Sequence, residues 1–450
     1  MQTLEQLKSG QLKGITSLRL LSCGLTEFPE EIIDLADTLE MLDLSNNPLS
    51  QLPDNFKLLK NLKIAFFYNN KFEHFPPVLA ECPKLEMIGF KENQISSIAE
   101  DAIPVDIRWL ILTNNNIEQL PASIGKCHRL QKFMLAGNKL KALPEEMAQC
   151  RSIELLRIAA NQIEVLPNWL FELPRLSWLA YSGNPCCQSE LPANDLTQIN
   201  WTDLALDEQL GQGASGYIYK AHWHQNKPSA IEDHVAVKVF KGEITSDGSP
   251  ADELNACIAA GNHPNFVQVL GKLSGHPEQK QGLVLSLIPP TYKNLGLPPS
   301  LDSCTRDVYL EGTSFSLQAA LSIATGIASA TAHLHAQHLM HGDLYAHNIL
   351  VNEAAFPLLG DFGAATSYAG ANQAYAPALE RMEVRAFGCL LDDLLTHLAV
   401  TERAHAAVRL LSELRAQCLQ ENIAKRPDFR QVEQLLQEAA KLVSAPVAQA

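Results

Sequence analysis

The sequence predicts a multi-domain α/β chain: an N-terminal solenoid of stacked repeats curved into a horseshoe, then a non-repetitive domain of mixed strands and helices. Three observations predict it. A pattern LxxLxLxxNxL starts at Ile15, Leu39, Leu62, Leu85, Ile107, Leu130, Ile153 and Leu176, at spacings of 22 to 24 residues. The ninth position of each unit holds Asn in seven of the eight (Asn47, Asn70, Asn93, Asn115, Asn138, Asn161 and Asn184), with Cys23 in the first. After Asn184 the period stops, and further on a glycine-rich turn (Gly211, Gly213, Gly216) leads into YIYKAHW and HVAVKVF, which alternate like a β-hairpin. With 450 residues in all, a single core is not expected.

Each unit's apolar residues, for example Leu39, Leu42, Leu44 and Leu49, cannot be buried alone and must stack on those of neighbouring units. A buried Asn amide both donates and accepts, which suits it to satisfying backbone groups of successive turns in a dry interior. Pro29, Pro53, Pro76, Pro121, Pro144 and Pro167 end the inner segment of their units and fix the turn that follows; Ala99 breaks this series in the fourth. On a strand, the third and fifth positions of each unit face away from the buried leucines. They put Ile64, Phe66, Met87, Trp109, Ile111, Met134 and Trp178 on the concave side. An exposed apolar stripe of this kind marks a protein contact, either a separate partner or the chain's own second domain. The units resemble the leucine-rich repeat family over about residues 15–187, so residues 1–187 are expected to form that domain.

Composition narrows the function. The net charge of −15 divides as −6 over residues 1–200 and −9 over the rest, so neither half offers a basic surface to nucleic acid or anionic lipid. Ten cysteines lie scattered without CxxC pairs and read as reduced, packed thiols. No basic region followed by an apolar run opens the chain, and a cytoplasmic location is expected. The uncharged stretch from Gly312 to Gly342 is interrupted by Ser, Thr, Gln and His and reads as a buried helix. Residues 188–203 read as a short aqueous linker with no membrane span.

In the second half the glycine pattern alone is ambiguous, because such turns also serve dinucleotides. A dinucleotide fold needs a helix directly after the loop, whereas here the loop sits between two strands. Further along come Lys238 in VAVKVF, Asp343 and Asn348 in HGDLYAHNIL, Asp361 in DFG, Glu380 in YAPALE and Arg426 in RPDF. These motifs, in this order, resemble the protein kinase family over roughly 204–440, and residues 204–450 are expected to form a two-lobed α+β domain of that kind.

The resemblance implies a set of roles. Gly211, Gly213 and Gly216 admit the phosphates of ATP to backbone N–H groups, with Ile218 and Ala236 beside the nucleotide. Lys238 pairs with phosphate and with a helix carboxylate, assigned to Glu253 although the step from Glu253 to His263 is one residue longer than the family's. Ser286, Leu287 and Ile288 form the hinge, with Leu285 as gatekeeper. Asn348 and Asp361 supply oxygen ligands to Mg²⁺, and Asp343 orients the acceptor hydroxyl and takes its proton. Glu380 and Arg426 form a buried ion pair. The repeats recruit a protein substrate or regulator. His333, His335, His338 and His341 lack metal-ligand spacing and are expected to serve packing or hydration.

Two departures carry information. Gly342 stands where the family commonly has the Arg that reads a phosphorylated activation loop, and only twelve residues separate Gly363 from Ala376. Activity is therefore expected to be constitutive or set by a partner. Tyr345 stands where Ser/Thr-directed enzymes carry Lys, and the DLAARN loop of tyrosine kinases is not matched either, so the acceptor hydroxyl stays open, with Ser/Thr favoured. HGDLxxxN is also similar to aminoglycoside and choline phosphotransferases, the alternative enzyme reading; a nucleotide-binding scaffold is the alternative outside enzymes.

Overall fold

The computed structural model describes residues 2–187, 196–213, 215–229, 231–242 and 244–444, the side chains of 371–373 excepted. It comprises two compact units: Met1–Leu176 with Asn184–Cys186, and Ser177–Gly183 with Cys187–Ala450.

The first unit opens with helix α1 (Leu4–Lys8), started by a capping box in which Thr3 Oγ1 accepts from the Gln6 N–H and Gln6 Oε1 accepts from the Thr3 N–H. Parallel strands β1 (Ser17–Arg19), β2 (Met41–Asp43), β3 (Ile64–Phe66), β4 (Met87–Gly89), β5 (Trp109–Ile111), β6 (Lys132–Met134) and β7 (Leu155–Arg157) then pair in sequence order, each in register with the last. Their central residues, from Leu18 to Leu156, are fully buried. The asparagines form the expected ladder. Asn138 is typical: Oδ1 accepts from the Ile117 N–H at 3.0 Å, and Nδ2 donates to the carbonyls of Leu112 and Leu135 at 2.8 and 2.9 Å. One amide thus satisfies backbone groups that no strand ladder reaches. Pro29, Pro53, Pro76, Pro121, Pro144 and Pro167 each precede a 3₁₀ turn, and among the described residues the fourth unit, with Ala99 in that place, has no such turn.

The concave stripe differs from its expectation. Phe66, Met87 and Ile111 are buried, packed with Met41, Ile64, Tyr68, Trp109 and Met134 into one cluster. Parallel strands lie only about 4.8 Å apart, so bulky side chains at one register position cover their lateral neighbours. Ile64, Trp109 and Met134 keep partial exposure.

The second unit includes β8 (Trp178–Ala180) and a six-stranded sheet. The sheet contains β9 (Gln198–Asn200), β10 (Leu204–Gln212), β11 (Gly216–Trp223), β12 (His234–Phe240), β13 (Val269–Ser274) and β14 (Gly282–Ser286), ordered β10-β11-β12-β14-β13-β9. Because β9 pairs parallel with β13, Gln198–Asn200 belongs to this sheet rather than to a linker; residues 188–195 lie outside the described residues. Ile199 explains the pairing: it is buried in a core with Leu204, Trp223, Val235, Val237, Val239 and Val284. Helix α2 (Pro250–Ala260), N-capped by Ser249, covers the other face through Leu254 against Phe240 and Leu283. Helices α3 (Leu317–Ala336), α4 (Ala376–Thr396), α5 (Ala406–Cys418) and α6 (Phe429–Ser444) build the larger lobe. The stretch read as a buried helix is α3, and no described helix is long and apolar enough to cross a membrane.

Candidate active site

A cavity of about 420 Å³ opens between the sheet and the larger lobe of the second unit. Leu210, Gly211, Ile218 and Ala236 line one side, Leu285 to Pro290 the edge, and Leu350, Asp361 and Phe362 the floor. Of the residues expected beside a nucleotide, Gly211, Ile218, Ala236, Lys238, Glu253, Ser286 and Ile288 all border it. Gly211 and Gly213 have open space where a Cβ would stand, whereas a Cβ on Gly216 would sit 2.6 Å from the Val239 carbonyl oxygen. The first two leave room for a ligand; the third is required by the hairpin itself.

Strand alternation positions the lysine. Val235, Val237 and Val239 turn into the core, so Lys238 must face α2, where its Nζ donates to Glu253 Oε1. Both side chains are nearly buried. Burial pulls the Lys238 pKa down, but the carboxylates of Glu253 and Asp361 outweigh it and hold the ammonium above its usual value. The extra residue before His263 is absorbed where α2 ends: Gly261 takes a φ of +64° and turns the chain.

The segment from His341 to Asn348 is fixed from several sides. Asn348 Nδ2 donates to the Asp343 carbonyl at 2.9 Å and to Asp343 Oδ2 at 2.8 Å, bringing the proposed base and metal ligand together. Asp307 Oδ2 accepts from the Ala346 N–H at 2.6 Å and the His347 N–H at 3.2 Å, while Oδ1 meets His347 Nδ1 at 2.7 Å. Glu383 accepts from the N–H groups of His341 (3.2 Å) and Gly342 (2.8 Å) and from His335 Nε2 (2.8 Å). Asp361 adopts a left-handed backbone (φ 54°) and caps the short turn Phe362–Ala364, and Phe362 packs edge-on to Phe266. Sequence reasoning missed Asp307 and Glu383. Asp307 lies 40 residues before His347 with no local pattern to mark it.

Three expectations are corrected here. The buried carboxylate of α4 is Glu383, not Glu380: Glu380 Oε1 lies 3.0 Å from Tyr368 Oη, while Arg426 donates to the carbonyls of Gln420 (2.8 Å) and Arg381 (3.2 Å). Trp178 is not an exposed anchor but 1% accessible, stacked on Tyr345. Gly342 is not merely a missing Arg. Its φ is +72°, and a Cβ there would sit 2.5 Å from the Leu179 carbonyl oxygen and 2.8 Å from that of Ala364.

A paired lysine and carboxylate beside a glycine-rich hairpin, in one unit with a loop that joins Asp343 to Asn348, is the arrangement of a kinase-like fold. Residues 204–387 match the family described as protein tyrosine and serine/threonine kinase. Residues 38–59 and 105–163 match two leucine-rich repeat families. The chain therefore carries leucine-rich repeats followed by a protein kinase domain. It is similar to tyrosine-protein kinase ABL2 of Mus musculus, 31% identical over 224 residues that make 46% of this chain and 17% of that protein. The Abl tyrosine-protein kinase transforming protein of Abelson murine leukemia virus is 28% identical over 280 residues, 54% and 35%. Cyclin-dependent kinase 11B of Mus musculus is 28% identical over 186 residues, 41% and 21%. The chain thus spans about a third or less of the length of these relatives.

Proposed function

We propose that the second unit transfers the γ-phosphate of ATP to a protein hydroxyl, with Ser/Thr favoured, and that the repeats recruit the substrate or a regulatory protein. The observation that carries this reading is that Lys238, paired with Glu253, and Asp361 border one cavity, while Asn348 and Asp343 are bonded to each other in the same unit. Mg²⁺ fits the oxygen donors Asn348 and Asp361, a hard set for a hard cation, and when bound it would neutralise phosphate charge. Asp343 would hold the acceptor hydroxyl and accept its proton; Gly211 and Gly213, with no atom where a Cβ would stand, would admit the phosphates. The loop carries neither the DLAARN form of tyrosine kinases nor, at Tyr345, the Lys of Ser/Thr-directed enzymes, so the acceptor class is the part of the reading that the experiment decides. A cytoplasmic setting fits ten free thiols, six of them buried, with Cys82 and Cys150 among these pushed up to about 12 by burial.

The test is incubation with labelled ATP and Mg²⁺, followed by phosphoamino-acid analysis. Label on Ser or Thr of a protein supports the reading, and label on Tyr overturns the acceptor class. Label on an aminoglycoside alone, or none anywhere, overturns the protein kinase activity.

A further inference from the structure

The catalytic loop rests on a side chain that the transfer chemistry does not use. Trp178 lies flat on Tyr345, with ring centroids 4.2 Å apart and planes 10° apart, and Trp178 Nε1 donates to the Leu344 carbonyl at 3.0 Å. Tyr345 in turn packs on His347 at 4.9 Å, whose imidazole is held by Asp307. One residue past Trp178, the Leu179 carbonyl occupies the space that any side chain at position 342 would need. Glu383 holds the N–H groups of His341 and Gly342. Asp343 therefore sits in a loop braced at Gly342, Leu344, Tyr345, Ala346 and His347.

We propose that Trp178 is a positioning residue for the catalytic loop, a permanent brace in the place where phosphate-regulated kinases use an Arg at position 342. The proposal rests on the kinase reading for its effect on rate. Its physical basis is that a flat, buried aromatic pair with a hydrogen-bonded indole gives the loop one arrangement instead of several. Loss of the ring leaves a void under Tyr345 and an unmet Leu344 carbonyl. The loop can then shift, and a displacement of 1 Å at a reacting group costs as much as about a hundred-fold in rate.

The experiment compares the full chain with Trp178→Ala and Trp178→Phe, by hydrogen exchange of the 342–347 amides and by steady-state kinetics on a short peptide with Mg·ATP. Trp178→Ala should speed exchange of those amides by about ten-fold and lower kcat by about ten-fold or more, with the KM for ATP little changed. Trp178→Phe, which keeps an aromatic ring on Tyr345 but loses the N–H donor and part of the stacked area, should recover most of kcat. Unchanged exchange in the Ala variant overturns the proposal. So does a parallel rise in the KM for ATP, which marks general loss of structure, or a Phe variant no better than Ala. If Trp178→Ala does not fold, Trp178→Leu replaces it with the same expected values. If the parent transfers no phosphate, the kinase reading fails, and the exchange data alone decide whether Trp178 braces the loop.

Discussion

Glu383 holds Gly342 by its backbone: Oε1 accepts the Gly342 N–H at 2.8 Å, while Oε2 takes His335 Nε2 at 2.8 Å. Burial alone would raise the carboxyl's pKa, but His335, His341 and the Gly342 amide outweigh it and hold it below the usual range. A carboxylate depressed in the fold stabilises it fully above its unfolded value, near 4.3, and loses that contribution as pH falls through the lower folded value. Glu383→Gln should therefore be less stable than the parent at neutral pH, and the gap should close below about pH 4. Urea midpoints across that range measure it; a constant gap would remove Glu383 as the titrating group.

Gly342 should not tolerate a side chain. Its left-handed φ and the two carbonyl oxygens within 3 Å of a Cβ predict that Gly342→Ala costs about 1–3 kcal/mol, and Gly342→Arg more. Thermal melts of both variants check this. An Arg variant as stable as the parent would mean that the loop rearranges freely.

Asp343 and Asp361 should separate kinetically. If its carboxylate acts on the acceptor hydroxyl, as proposed, Asp343→Asn should lower kcat by about 10²–10⁴-fold with ATP affinity nearly intact. Asp361→Asn should instead weaken Mg·ATP binding, since the proposed metal ligand loses its charge. Nucleotide titration beside turnover distinguishes the two.

Lys238→Met leaves Glu253 buried without its cation. The variant should raise the KM for ATP, and its melting temperature should recover when Glu253→Gln is added, because the stranded charge is removed. A double variant no more stable than the single one would argue against a coupled pair.

Asn138→Ala should destabilise the repeats by about 2 kcal/mol or more, because the Ile117 N–H and the carbonyls of Leu112 and Leu135 lose a buried partner together. Chemical denaturation of the full chain, followed by the signal of the repeats, reads this out.

The repeats were legible because their period is local. A recurring Asn meets the same backbone groups in every turn, so Asn47 to Asn184 announce both the stack and its dry interior. The cavity-lining residues were legible for a similar reason: Gly211, Lys238 and Asp361 lie in short motifs whose spacing is set by a hairpin, a strand and a turn. What the sequence could not show is which distant residues hold those motifs in place. Asp307, Glu383 and Trp178 each contact the loop from 39 or more residues away, and none sits in a local pattern. The same limit explains Trp178, which by position alone belongs to an exposed stripe. Burial depends on what packs over a side chain, and that is settled by tertiary contacts, not by strand alternation. The tertiary structure alone decided that Gly342 is a steric requirement, because the oxygen that excludes a Cβ belongs to Leu179, far away in sequence and 2.5 Å away in space.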